Sequence, residues 1–399
     1  MLLPPRSLSP QVTTLPSDLI AEKAALEESN IPYAAYALTN SETMLASGSV
    51  GFTDLEKKIP LNSNAIFRIA SMTKALTSSA FLLLAEKENL ALDTPVESIL
   101  DEFKDLKVAK LENDEIHYES PNSKITFHQL LTHTSGFGYD FHHQTLSHLL
   151  LQGEIADLLD KEGKFLDAPL IEQPGTYWHY GIGIGWLGKV IEKLSKQSLN
   201  DFMTKNVFEP LEMHETSFDI SKLGEDRLPN IYAKDEDDGL TDISAFMASP
   251  QIEDFAYGGG GIFSCPEDYA KFLRMFLNKG QVNGKEFLSE KIITEMTSNQ
   301  IGDLIVPFQP SFNPAIIAPN EWFPGIEKKW GYGFMINTEE VPNQRSKGSC
   351  AWSGIMNTFF WFDFEKDIGG TIMMQIAPCY HAKPKMVLQR FEEAVYRSI

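Results

Sequence analysis

The chain has 399 residues, of which 43% are apolar, 11% aromatic and 22% charged, the composition of ordinary globular domains and far from disordered or fibrous chains. Its 55 Asp and Glu against 34 Lys and Arg leave a net charge of −21. That field repels phosphate backbones and anionic bilayers, so neither nucleic acid nor a membrane is an expected partner.

At roughly 150 residues per domain the length allows two to three domain-equivalents. Cys265, Cys350 and Cys379 are odd in number and widely spaced, which predicts buried, reduced thiols rather than a disulfide framework or a zinc knuckle. Met1 to Arg6 contains two prolines, which interrupt any signal-peptide core, and no stretch reaches the ~18 apolar residues of a bilayer span. The expected compartment is the cytoplasm.

Along the chain, Pro16 to Ser29 carries Leu19, Ile20, Ala24 and Leu26 at helical spacing, with Ser17 placed to cap it. Residues 32–38 and 43–52 read as strands around Thr39-Asn40-Ser41, an order that disfavours a βαβ repeat. Ser71 to Leu90 holds neither Gly nor Pro, and Leu76, Ala80, Phe81, Leu83 and Leu84 give it a broad apolar face, which predicts a helix. Residues 103–123 are charged and read as an irregular surface excursion. From about 126 to 217 the pattern is mostly helical, while 257–264 and 350–378 return to glycine-punctuated β-rich runs.

Ser71-Met72-Thr73-Lys74 is an S-x-x-K. On a helix both side chains share one face, and the serine hydroxyl lies near the positive end of the helix dipole, where it can be activated. Ser71 could equally be only an N-cap. The surrounding blocks occur in a fixed order: Arg68-Ile69-Ala70, Leu130 to Gly136 (LLTHTSG), Pro174 to Tyr180 (PGTYWHY), Pro210 to Met213 (PLEM) and Gly258 to Ser264 (GGGGIFS). Together they closely resemble the serine β-lactamase-like superfamily, from about residue 15 onward, and within it the branch of esterases and lovastatin-type acyltransferases.

The resemblance implies Ser71 as nucleophile, Lys74 as its lysine partner and Tyr180 as the tyrosine of the second motif. That motif is usually Y-x-N, whereas here Tyr180-Gly181-Ile182 lacks the asparagine, which speaks against β-lactam turnover. The third motif, usually Lys or His followed by Ser or Thr and Gly, is matched by Trp352-Ser353-Gly354, expected to bind substrate. An indole in place of a cation fits a neutral acyl donor better than a carboxylate-bearing one; as a plain alternative, Trp352 is a core strand residue. By family position, the backbone N–H groups of Ser71 and Ile355 would hold the oxyanion.

The chemistry also assembles from the residues themselves. A serine needs a proton acceptor as it attacks, and either a Tyr180 phenolate or a neutral Lys74 amine can serve; their similar reference pKa values let one proton be shared. His133 lies in the H-T-S-G turn, where the resemblance implies a structural hydrogen bond. His142, His143 and His148 lack a carboxylate in metal-site register, so no metal and no cofactor are expected. Gly183 to Gly188 is a formal G-x-G-x-x-G, but no second strand with an acidic end follows, and close helix packing explains its glycines. No G-x-S-x-G is present.

The expected fold is therefore α+β and β-lactamase-like, an antiparallel sheet flanked by helices with an inserted helical domain. Its sheet domain would comprise 1–104 and 250–399 and its helical domain 105–249, with the site in the cleft between them. The expected function is a serine hydrolase or acyltransferase forming an acyl-enzyme on Ser71 from small-molecule carboxylic esters or thioesters. The alternatives are a β-lactamase or D-Ala-D-Ala carboxypeptidase, and a catalytically silent binding protein. Oligomeric state is not encoded in any motif.

Overall fold

The computed structural model describes residue 26 and residues 28–160, 162–235, 237–245 and 256–399. Its centre is an eight-stranded sheet in the spatial order Lys328–Trp330, Met335–Asn337, Cys350–Gly354, Thr358–Asp363, Ile368–Met373, Tyr33–Thr39, Met44–Asp54 and Ile59–Pro60, every neighbouring pair antiparallel. The strand Ile368–Met373 joins the two ends of the chain by pairing with Tyr33–Thr39, Ala37 opposite Thr371.

The run Thr358–Asp363 (TFFWFD) is buried throughout because helices cover both faces of the sheet. Successive side chains of a strand alternate. Phe360 and Phe362 meet Tyr269 and Phe276 of the helix Pro266–Leu277, with ring centroids 5.0 and 5.1 Å apart. Trp361 faces the other way, onto Phe391 of the helix Ala382–Ser398 at 5.7 Å. Gly370, opposite Trp361 in register, makes room for the indole: a Cβ there would lie 2.4 Å from it.

The predicted helix from Ser71 begins as a 3₁₀ turn, Ala70–Met72, and continues as an α-helix over Thr73–Lys87. It ends where Asn89 turns left-handed, φ 52°. From Thr73 to Leu82 every side chain is buried, so this helix is enclosed on all sides rather than amphipathic. Two of its hydroxyls bond to the glycine run: Thr77 Oγ1 donates to the Gly258 carbonyl at 2.7 Å, and Thr73 Oγ1 accepts from the Ile262 N–H at 3.2 Å. These bonds lash the glycine run to the first turns of the helix.

Several expectations change. The excursion 103–123 contains a hairpin, Val108–Glu112 with Glu115–Glu119; Asn113 and Asp114 both take positive φ, 51° and 64°, as a tight two-residue turn requires. Within 257–264 only Phe263–Ser264 is a strand. The predicted helix 16–29 lies outside the described residues except at its end, where Leu26, Glu28 and Ser29 are helical. The boundary set at 249/250 also lies outside them. Cys265, Cys350 and Cys379 are free and buried. Among the described residues, no helix is long and apolar enough to cross a membrane.

Candidate active site

Ser71 sits in the 3₁₀ turn, reached through Ala70 at φ 45°, a left-handed conformation that costs a residue with a Cβ on the order of 1 kcal/mol. The turn is fixed by neighbours on both sides: the Ile69 N–H donates to the Ile262 carbonyl at 3.1 Å, and Tyr269 Oη donates to the Met72 carbonyl at 2.9 Å. One turn on, Lys74 is fully buried, with Nζ 3.0 Å from Ser71 Oγ and 2.6 Å from the Gly259 carbonyl. The carbonyl takes one N–H and so aims the rest of the amine at the serine.

Tyr180 closes the group from the far side, its phenol near enough to Ser71 for the serine to act on its pKa. Lys74 Nζ lies over the Tyr180 ring, 4.9 Å from its centroid, so the amine and the phenol ring are direct neighbours. Burial holds the Lys74 pKa well below that of an ordinary lysine and raises the Tyr180 phenol, against smaller lowering contributions from its bonds to Ser71 and Trp352. Both shifts favour the neutral amine and the neutral phenol. A neutral amine beside a serine hydroxyl can take its proton, and a phenol beside the same oxygen can donate one.

The loop bearing Tyr180 is zipped to the H-T-S-G turn: the Gly175 N–H donates to the Thr134 carbonyl at 2.7 Å and the His179 N–H to the His133 carbonyl at 3.0 Å. His133 Nδ1 accepts from the Gly181 N–H at 3.4 Å, and burial keeps this imidazole neutral, with its pKa well below the usual value. The imidazole packs against Trp330, Tyr180 and Trp178 at 5.0, 4.9 and 5.7 Å between centroids.

Ser71 opens onto a cavity of about 660 Å³ whose walls include Tyr139, Phe141, Tyr257, Gly260, Ile355 and Met356. Ile355 follows the strand Cys350–Gly354, and Gly354 presses on the nucleophile turn: a Cβ there would lie 2.3 Å from the Ile69 carbonyl. Ser71 and Ile355 line the same cavity. Residues 20–386 match the beta-lactamase family.

The chain belongs to the beta-lactamase family. A monacolin J acid methylbutanoyltransferase of Aspergillus terreus is 26% identical to it over 366 residues, 84% of this chain and 83% of that protein. Lovastatin esterase of Penicillium rubens is 26% identical over 357 residues, 86% of this chain and 87% of that one. The unliganded simvastatin synthase of Aspergillus terreus superposes with a TM-score of 0.78 at 23% identity, covering 96% of this chain and 98% of that one. The β-lactamase-like fold and the resemblance to the lovastatin-type branch are thus both borne out.

Within this beta-lactamase-family site, Trp352 and Ser353 of the expected substrate-binding trio turn their polar atoms to neighbouring side chains. Trp352 does not line the cavity; it is 2% exposed and donates its indole N–H to Tyr180 Oη at 3.1 Å. Trp330 stands edge-on to it at 4.7 Å. Ser353 Oγ is likewise turned away, 2.6 Å from Tyr380 Oη. The strand's register places Trp352 toward Tyr180. Gly354 contributes through its close approach, not through a side chain.

The histidines of the 142–148 segment do not converge. His142 Nδ1 is 2.6 Å from the Pro310 carbonyl, and His143 packs on His179 at 5.5 Å. Among the described residues no cluster of three His, Cys, Asp or Glu is placed to hold a metal ion. The glycines of the G-x-G-x-x-G lie in the helix Gly183–Ser195 and serve packing: a Cβ on Gly185 would sit 2.4 Å from the Tyr257 ring, and one on Gly188 2.8 Å from Leu199. Sequence reasoning missed Tyr139 and Tyr257, whose hydroxyls are 2.9 Å apart in the cavity wall. They come from loops 118 positions apart, and no local spacing announces such a pair.

Proposed function

We propose that the chain is a serine acyl-enzyme hydrolase or acyltransferase acting on small-molecule carboxylic esters or thioesters. The observation that carries this reading is the single cluster of Ser71 Oγ, the buried Lys74 Nζ at 3.0 Å and the Tyr180 phenol. Lys74, as the neutral amine, takes the serine proton while Oγ bonds to the acyl carbon. The backbone N–H groups of Ser71 and Ile355 donate to the developing oxyanion, where each donor is worth roughly 3 kcal/mol.

Tyr180 donates its phenolic proton to the leaving oxygen as that bond breaks, and the proton on Lys74 restores the phenol. Water or an acceptor alcohol then runs the sequence in reverse on acyl-Ser71: the phenol proton moves to Lys74, Tyr180 takes the acceptor's proton as its oxygen bonds to the acyl carbon, and Lys74 returns a proton to Ser71 Oγ as the acyl bond breaks. A cavity of about 660 Å³ has room for an acyl group and a second reactant. The names of the relatives, an esterase and an acyltransferase, support both outcomes of the second half-reaction.

The reading is tested by assaying p-nitrophenyl butyrate, with and without a primary alcohol as acceptor, beside a chromogenic cephalosporin. Ester turnover is expected to exceed cephalosporin turnover by at least roughly 10³ in kcat/KM. Efficient cephalosporin hydrolysis with no ester turnover would overturn it.

A further inference from the structure

The donor assigned to Ile355 hangs on a short hairpin loop. Gly354 pairs with Thr358 at the ends of the strands Cys350–Gly354 and Thr358–Asp363, and Ile355, Met356 and Asn357 join them, closed by the Asn357 N–H donating to the Gly354 carbonyl at 3.0 Å. The last loop residue, Asn357, takes φ 59°, the left-handed conformation that such a loop calls for and that asparagine adopts more readily than most residues with a Cβ. Ile355 lines the cavity onto which Ser71 opens, and among the described residues no hydrogen bond takes up its N–H.

Asn357 does more than turn the chain. It is fully buried, and its whole amide is committed to one neighbouring segment: Nδ2 donates to the Ile376 carbonyl at 2.8 Å and the Pro378 carbonyl at 3.0 Å, while Oδ1 accepts from the Tyr380 N–H at 2.9 Å. Backbone bonds run the same way, from the Met374 N–H to the Asn357 carbonyl at 3.3 Å and from the Ile376 N–H to the Met356 carbonyl at 3.1 Å. The next residue ties the loop to the nucleophile turn. Buried Thr358 donates through Oγ1 to the Ile69 carbonyl at 3.3 Å, the same carbonyl that accepts from the Met72 N–H at 3.0 Å. A glycine would take the left-handed φ without a steric cost, so the backbone conformation alone does not account for an amide with three buried hydrogen bonds.

We propose that Asn357 is a positioning residue for the acyl-transfer reaction: its amide fixes the loop so that the Ile355 N–H points where the oxyanion develops. A donor of this kind acts only if it is aimed before the charge appears, and a displacement of about 1 Å is enough to cost a large part of its effect. The proposal rests on Ser71 as nucleophile and Ile355 as oxyanion donor in the proposed reaction.

Asn357→Gly keeps the left-handed backbone and removes the amide. Rates are taken per active site titrated to completion with a fluorophosphonate, so that a loss of folded protein does not enter them. On p-nitrophenyl butyrate, kcat should then fall at least roughly tenfold with KM within about twofold. Propyl trifluoromethyl ketone, whose hemiketal with Ser71 places an anionic oxygen at the oxyanion position, should lose affinity by a similar factor. Asn357→Asp, nearly isosteric and still able to accept from the Tyr380 N–H, should fall between the glycine variant and wild type, and it decides alone where Asn357→Gly yields no titratable protein. A per-site kcat and ketone affinity equal to wild type, or a rise in KM with kcat intact, would overturn the proposal, because a purely structural role lowers only the titrated fraction. Fluorophosphonate labelling of the parent protein at a residue other than Ser71 would count against the proposed reaction instead.

Discussion

Trp352 donates its indole N–H to Tyr180 Oη at 3.1 Å within buried aromatic packing, so a change at Trp352 reaches the tyrosine directly. Trp352→Phe keeps a ring in the box but removes this donor. It should lower kcat about tenfold with little change in KM, and lower stability by about 1–2 kcal/mol. A KM effect of that size with kcat intact would return Trp352 to the substrate surface. Trp352→Lys should not create anion recognition: it would bury an unpaired cation between Tyr180 and Trp330, and its readout is a fall in Tm.

The burial of Lys74 makes a prediction about stability as well as rate. Its pKa is lowered on folding, so between the folded and unfolded values the unfolded chain binds the extra proton, and stability rises with pH. Lys74→Met should abolish turnover by a factor of roughly 10² or more yet raise Tm at pH 7. That gain should shrink as the pH is raised toward the ordinary lysine value, where wild type no longer sheds a proton on folding. Differential scanning calorimetry across pH 6 to 10 checks this; a variant less stable at every pH would mean that Lys74 is charged and paired in the fold.

In the proposed reaction Ser71, Lys74 and Tyr180 share one proton path, of which the Lys74 Nζ to Ser71 Oγ contact at 3.0 Å is one leg. Tyr180→Phe should therefore cost roughly 10² in kcat, and combining it with Lys74→Met should add little, because parts of one proton path are not additive. Steady-state rates of the two single variants and the double decide it. Multiplicative losses would show two independent functions.

The parts of the site legible in the sequence are those set by local spacing. Ser71 and Lys74 are one turn apart, so any helix there brings them together, and the ordered blocks around them carry the fold. What Trp352 touches depends on the register of Cys350–Gly354 against Thr358–Asp363 and on the loop that delivers Trp178 and Tyr180, neither of which leaves a local signal. The hairpin at 108–119 was obscured because its outer strand is almost wholly exposed, so no apolar alternation marks it.

Gly354 tests the backbone side of the site. Gly354→Ala puts a Cβ 2.3 Å from the Ile69 carbonyl and 2.4 Å from Thr358 Oγ1, and the strand must shift to relieve it. Stability should fall by about 1–3 kcal/mol, and kcat should fall by roughly 10² as the Ile355 N–H leaves the oxyanion position. Kinetics at a temperature well below the variant's Tm separate the two effects; normal kcat there would remove Ile355 from the oxyanion hole.

The central claim is a covalent bond at one oxygen. Intact-protein and peptide mass spectrometry after reaction with a fluorophosphonate, and after rapid acid quench with p-nitrophenyl butyrate, should place a single phosphonyl or butyryl adduct on the peptide containing Ser71. Ser71→Ala should carry none and turn over no ester. An adduct on another residue, or undiminished ester hydrolysis by Ser71→Ala, would contradict the account.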